Sequence, residues 1–130
     1  MYELVKVGDG TYTIESPAKM RLYRLNEKEV CLIDSGNDKD AGKKVLRILE
    51  EQGWELKFIL NTHSNADHVG GNAVIQQRLA VPAYTSAVEA CFNRFPVLEP
   101  SFLYGGFPCR ELRNKFLMAQ PSCAQDITDL

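Results

Sequence analysis

The chain has 130 residues, 45% of them hydrophobic and 25% charged, with a formal net charge of −2 and a pI near 5.7. Such a length and composition fit one globular domain, and the slightly acidic balance lacks the basic footprint of nucleic-acid or anionic-membrane binding. No apolar run approaches a membrane span and Met1 to Val5 lacks the pattern of a signal peptide, so the expected setting is cytoplasmic, with no nucleic-acid or membrane partner.

The first third reads as β-structure. Residues 4–7, 12–14 and 20–25 alternate apolar and polar side chains, and Gly8-Asp9-Gly10 and Asn26-Glu27-Lys28-Glu29 separate them as turns. Residues 30–33 are apolar throughout, which predicts a strand buried on both faces. A helix is expected over 38–52: Ala41, Val45, Ile48 and Leu49 form its apolar stripe, Asn37 or Asp38 caps its start, and Gly53 ends it. A second buried strand follows at 56–60, then a helix over 67–79, a short strand at 81–84 and a helix over 86–93.

After Phe95 the pattern changes. Pro96, Pro100, Pro108 and Pro121 interrupt it, with Phe102, Tyr104 and Phe107 between them, and only 110–119 reads as helical. These aromatics suit either a lid or pocket wall beside a ligand or a cover for an exposed core edge, the second being the commoner use. The four cysteines, Cys31, Cys91, Cys109 and Cys123, show no C-x-x-C spacing, which argues against a zinc knuckle or a thioredoxin-type pair. Cys31 falls in an apolar strand and reads as a buried thiol; Cys109 reads as exposed on a loop, and spacing gives it no support as a metal ligand.

The chemistry concentrates in one stretch. The chain's only two histidines lie in T-H-S-N-A-D-H-V-G-G, Thr62 to Gly71, directly after an apolar strand and before a helix. Neutral imidazole and Asp oxygen are ordinary zinc ligands, and a loop between two rigid elements can hold them. His63 and Asn65, two apart, point the same way in an extended segment. Asp67 and His68 sit where the chain turns into the helix. Gly70 and Gly71 allow close packing of that helix. Asp67 alone would also serve as a helix cap, but capping leaves both histidines unexplained. Asn65 is a poor zinc ligand because its amide oxygen is neutral and hard.

This string resembles the metal-binding signature T-H-x-H-x-D-H-x-G-G of the metallo-β-lactamase-fold hydrolases. Cys31-Leu32-Ile33-Asp34-Ser35-Gly36 resembles the family's upstream strand ending in aspartate and glycine. The resemblance implies an α/β fold (α+β, four-layer type), of which this chain would be the N-terminal half of an αβ/βα sandwich. Residues 1–95 would form that half-domain and 96–130 a Pro- and aromatic-rich tail of the same domain. It further implies His63, Asp67 and His68 as metal ligands, Asp67 also catalytic, with Asp34, Thr62 and Asn65 supporting from behind. Asn65 stands where the family has its second histidine, and the later histidines and bridging aspartate have no counterpart here, Asp126 and Asp129 lying in a polar tail. The implied cofactor is zinc, at most one ion, with iron or manganese as lesser alternatives. The implied activity is hydrolysis of a small-molecule ester, thioester, lactone or amide by metal-activated water; a non-catalytic fragment or assembly module is the alternative.

Half a sandwich leaves a sheet face bare, and Val30, Leu32, Phe58 and Leu60 are expected on it. Leaving ~800 Å² uncovered forgoes about 20 kcal/mol at roughly 25 cal/mol per Å², more than the about 5–15 kcal/mol that holds a domain together. The expected partner is a second copy in a two-fold dimer or the missing C-terminal half, unless the tail after Phe95 folds back as the cover. The loop itself generates a further expectation. Asn65→His adds an imidazole on the side of His63 and should raise zinc affinity in a competition titration; equal or weaker binding would mean that the two side chains diverge.

Overall fold

A computed structural model describes all residues, 1–130. Its centre is one seven-stranded sheet in sequence order: β1 (Glu3–Gly8), β2 (Thr11–Glu15), β3 (Met20–Arg24), β4 (Glu29–Ile33), β5 (Glu55–Leu60), β6 (Ala83–Thr85) and β7 (Gln125–Asp126). β1 to β4 form an antiparallel meander joined by short turns, and β4 to β7 run parallel. Parallel neighbours require crossovers, and helices supply them. α1 (Lys39–Gln52) links β4 to β5; α2 (Ala66–Val69) and α3 (Asn72–Leu79) link β5 to β6. α4 (Ala87–Arg94) and α5 (Leu98–Tyr104) lie between β6 and β7, with a 3-10 turn at Arg110–Leu112. The expected α/β class and meander-then-βαβ order are present.

Local chemistry explains the best-defined helix. Asp38 sits in extended backbone and its carboxylate accepts from the amides of Asp40 and Ala41 at 3.0 Å each, closing the start of α1. Gly53 ends α1 at φ +67°, in the left-handed region where a Cβ is costly. The helix buries Ala41, Val45, Ile48 and Leu49 against Ile14, Met20, Leu22, Val30, Leu32, Leu56 and Ile59 of the sheet, with Ile75 of α3 beside them.

The register corrects the expectation for the open face. Val30 and Leu32 are fully buried beneath α1, so neither is exposed. Strand alternation puts Arg21, Tyr23, Cys31, Ile33, Phe58 and Leu60 on the opposite face, Cys31 paired with Phe58 and Ile33 with Leu60. Phe58 and Leu60 are half-buried there, and Phe58 meets Tyr84 edge-on at 5.7 Å. Lys57 is exposed, so β5 is not buried throughout; only β4 approaches that description.

Other boundaries differ from the sequence expectation. The helix expected over 67–79 starts at Ala66 and breaks at Gly70-Gly71. The helix expected over 110–119 is only the 3-10 turn, while α5 and β7 have no counterpart among the expected elements. Leu98–Tyr104 contains Pro100, which the first turn of a helix tolerates because its missing N–H has no partner there anyway. No helix is long and apolar enough to cross a membrane.

The break at Gly70-Gly71 lets α1 and the loop before it approach. A Cβ at Gly71 would lie 2.4 Å from the Ser35 carbonyl oxygen and 2.9 Å from Gly42 Cα; one at Gly70 would lie 2.3 Å from the Asn37 carbonyl carbon. Gly71→Ala should therefore cost about 1–3 kcal/mol in urea unfolding, the usual penalty of overpacking. Gly106→Ala, which meets nothing within 4 Å, should be close to neutral; equal stability of the two variants would refute the close approach.

Candidate metal centre

The loops after β4 and β5 are adjacent because their strands are, and both lie at the carboxyl ends of the parallel strands, where open α/β sheets place ligands. Backbone bonds lace them together. Ser35 N donates to His68 O at 2.8 Å, Gly70 N to Gly36 O at 2.8 Å, and Asp34 N to Leu60 O at 2.9 Å. Asp34 takes φ +58°, a left-handed conformation that Asp tolerates better than most side chains. In it the carboxylate, buried, faces the second loop.

That carboxylate organises the histidines. Thr62 N donates to Asp34 Oδ1 at 2.8 Å, and the Thr62 hydroxyl to Oδ2 at 2.6 Å. His68 Nδ1 lies 2.9 Å from the same Oδ2; beside an ionised acceptor it carries the proton, which leaves Nε2 with a free lone pair. Thr62 Oγ1 is also 2.9 Å from His63 Nδ1. Since the hydroxyl's one proton is committed to Asp34, its oxygen can only accept, so His63 too is protonated on Nδ1 and free on Nε2. One carboxylate thus sets both tautomers, one directly and one through a threonine.

The rings of His63 and His68 are 4.0 Å apart between centroids, tilted by 46°. A donor atom from each of Asp34, His63 and His68 lies within 4.8 Å of the others. Both Asp34 oxygens already accept hydrogen bonds, so Asp34 is better suited to hold ligands than to be one. Asp67 lies outside that group: its side chain is 56% exposed and its Oδ2 is 3.5 Å from His68 Nε2. Asn65 is exposed at the position before α2; its carbonyl accepts from His68 N and Val69 N, and its side chain makes no cap bond. Asp67 does not cap the helix. Two imidazole nitrogens with free lone pairs and an exposed carboxylate beside them fit a divalent cation of the zinc type.

Sequence reasoning missed what surrounds the loop. Asn72 Nδ2 donates to Asn61 Oδ1 at 2.6 Å, Asn93 Nδ2 to the same oxygen at 3.2 Å, and Ser35 Oγ to Asn72 Oδ1 at 2.7 Å. All four residues are buried. Glu89 and Glu99 were also missed, although a lone carboxylate in the apolar run Val97-Leu98-Glu99-Pro100 was a signal. Glu99 is only 8% exposed and accepts from Ala66 N at 2.9 Å. Burial pushes its carboxyl up to about 7, and the nearby negative Asp67 and Glu89 push the same way against the Ala66 amide. The aromatics of the same segment do not cover the core: Phe102 and Phe107 are 78% and 79% exposed. A cleft of about 730 Å³ lined by Trp54, Leu79 and Pro82 opens at the amino ends of the parallel strands, away from the histidines.

The comparisons decide the family. A family model described as Metallo-beta-lactamase superfamily matches residues 21–124. The chain belongs to that superfamily. Its sequence is similar to a hydroxyacylglutathione hydrolase of Pelagibacter ubique, 42% identical over 48 residues, which cover 37% of this chain and 18% of that protein. Another, of Rhizobium meliloti, is 39% identical over 68 residues, or 52% and 26% of the two chains. Among solved structures, the HARLDQ-motif metallo-beta-lactamase of Cronobacter sakazakii matches 95% of this chain with 44% of its own, at TM-score 0.74 and 17% identity. A subclass B3 metallo-beta-lactamase of Bradyrhizobium japonicum gives TM-score 0.74 at 16% identity, with 96% and 44% covered. The chain therefore matches about a fifth to a quarter of the length of these curated relatives and less than half of these structures. The fold is that of the metallo-beta-lactamase sandwich, seen over one part.

Glu99 makes stability depend on pH. Its carboxyl ionises near 4.5 ordinarily and near 7 in the fold, so the folded chain holds an extra proton between those values. The stability this confers is complete below about 4.5 and is lost as pH rises through about 7. The thermal midpoint of the metal-free protein should fall between about pH 5 and pH 8, and Glu99→Gln should flatten that fall. An unaltered pH profile in the variant would assign the dependence to other groups.

Proposed function

We propose that this chain is the metal-binding N-terminal part of a zinc-dependent hydrolase, with His63, Asp67 and His68 as the ligands. The observation that carries the proposal is the pair of imidazoles, each left with a free Nε2 by the Asp34–Thr62 network. Asp34 and Thr62 hold the rings, and exposed Asp67, 3.5 Å from His68 Nε2, would complete the set around a bound ion and orient the attacking water. Asn65 contributes no imidazole, which limits the centre to one ion, zinc before iron or manganese. The chemistry such an ion supplies when bound is polarisation of a carbonyl and acidification of water to a pKa of about 7.

The substrate class is a small-molecule acyl compound: an ester, thioester, lactone or amide. The name of the hydroxyacylglutathione hydrolases, which describes an acylated glutathione, favours the thioester. Four unpaired thiols suit a reducing compartment, which supports a cytoplasmic setting. The face bearing Cys31, Ile33, Phe58 and Leu60 is suited to a second layer, from another copy in a dimer or from a C-terminal half. A second reading, a non-catalytic fragment or assembly module, is favoured by a specific observation: His63 and His68 are the only histidines in the chain.

Metal analysis of purified protein separates the two. One equivalent of zinc, lost in the Asp67→Ala/His68→Ala double variant together with any hydrolysis of an acyl-glutathione, is the expected result. Unchanged stoichiometry in that variant would rule the loop out as the site, and a metal-free wild type that binds no added zinc would favour the module.

A further inference from the structure

The loop between His63 and Asp67 is gripped from outside by two carboxylates. Ser64 N donates to Glu89 Oε2 at 2.7 Å, and Ala66 N donates to Glu99 Oε2 at 2.9 Å. Glu89 comes from α4 and Glu99 from α5, elements that follow the loop by about twenty residues or more. Ser64 and Ala66 are both buried, so neither amide has water as an easy alternative. α2 needs such help. It is four residues long, and the Asn65 side chain makes no cap bond. A remote carboxyl oxygen on the first amide of α2 does what a local cap does elsewhere, accepting from an N–H that the helix itself leaves unpaired.

The two amides alternate along the segment that joins the histidine at its start to Asp67 at its end. Fixing both sets the path of that segment, hence the separation of His63 from Asp67 and His68. Asp34 and Thr62 hold the two rings but make no hydrogen bond to the segment between Ser64 and Asp67. The grip from α4 and α5 therefore covers the part of the loop that the Asp34 network leaves unsupported. It also explains why α5 packs inward at one end. Glu99 and Pro100 are the buried residues of that helix, while Phe102 and Tyr104 stay exposed.

We propose that Glu89 and Glu99 are positioning residues for the cation-binding loop, holding the Ser64 and Ala66 amides so that the donors of His63, Asp67 and His68 converge. This rests on the metal reading above for its purpose but not for its geometry. Neither glutamate belongs to the cluster of donor atoms formed by Asp34, His63 and His68. Glu89 and Glu99 act through the backbone, as outer supports of metal sites do, and losing such a support commonly costs about 10- to 100-fold in metal affinity.

The test uses the full chain with Glu89→Ala/Glu99→Ala and, as the conservative rescue, Glu89→Gln/Glu99→Gln. Two quantities are read: cobalt(II) affinity by competition titration, and amide hydrogen exchange in the metal-free protein. The alanine pair should lose about 10-fold or more in cobalt affinity. It should also lose protection at Ser64 and Ala66 while Val45 and Ile48 of α1 keep theirs. The glutamine pair, whose side-chain oxygens still accept, should stay near wild type in both. Wild-type affinity in the alanine pair, or a uniform loss of protection that includes α1, overturns the proposal. A wild-type chain that binds no cobalt instead overturns the metal reading; selective loss of protection at Ser64 and Ala66 then still supports the grip, and no such loss overturns it as well.

Discussion

The Asp34 carboxylate is the interaction on which the site depends. It stands at the end of β4 in left-handed backbone, buried, and accepts from the Thr62 amide, the Thr62 hydroxyl and His68 Nδ1. A buried charge is expensive without partners, and three donors compensate it. In return it joins the two βα loops, fixes one imidazole directly and fixes the other through Thr62. Replacing it with a neutral side chain would leave Thr62 free to reorient and the His63 tautomer undetermined.

This constraint is useful only if the second loop stays where β5 delivers it. Gly70 and Gly71 press against Asn37 and Ser35, which brings the loop down onto the start of α1. Beneath it lies the polar cluster of Asn61, Asn72, Asn93 and Ser35, with Thr85 Oγ1 donating to the Asn61 carbonyl at 3.0 Å. Buried networks of this kind rigidify when satisfied and are costly when not. Here Asn93 Oδ1 is without a hydrogen-bond partner, the one weak point in an otherwise closed set. The same cluster ties α4 to β5, and α4 carries Glu89 to the loop.

Much of the fold is legible in the sequence because its signals are local. The meander follows from alternation, α1 from its stripe and its Asp38 and Gly53 ends, and the parallel strands from short apolar runs with helices between them. The departures have local causes too. A four-residue helix interrupted by two glycines leaves too little periodicity to place, and the β7 strand is two residues long. Residues 110–119 carry helical spacing but form only short turns, a 3-10 turn at Arg110–Leu112 and a second in which Leu117 N and Met118 N donate to Asn114 O. The apolar run at β4 does not say which alternate residues face the helices; α1 takes Val30 and Leu32, and leaves Cys31 and Ile33 to the other side.

What the sequence determined by itself was the set of chemical groups and their neighbourhood. Two histidines and an aspartate in one loop, after a strand and before paired glycines, point to a cation without any coordinates, because ligand type and spacing are properties of the chain. Tertiary structure decided which groups serve which purpose. Asp34 reaches His68 across 34 positions, and Glu99 reaches Ala66 across 33. Such pairings depend on strand order and on the close contact at Gly71, and neither leaves a mark within a short window of sequence. The tautomers of the two imidazoles, the burial that raises the Glu99 carboxyl and the exposure of Asp67 are all consequences of that folding. They arise from distances between segments that the chain brings together only once the sheet has formed.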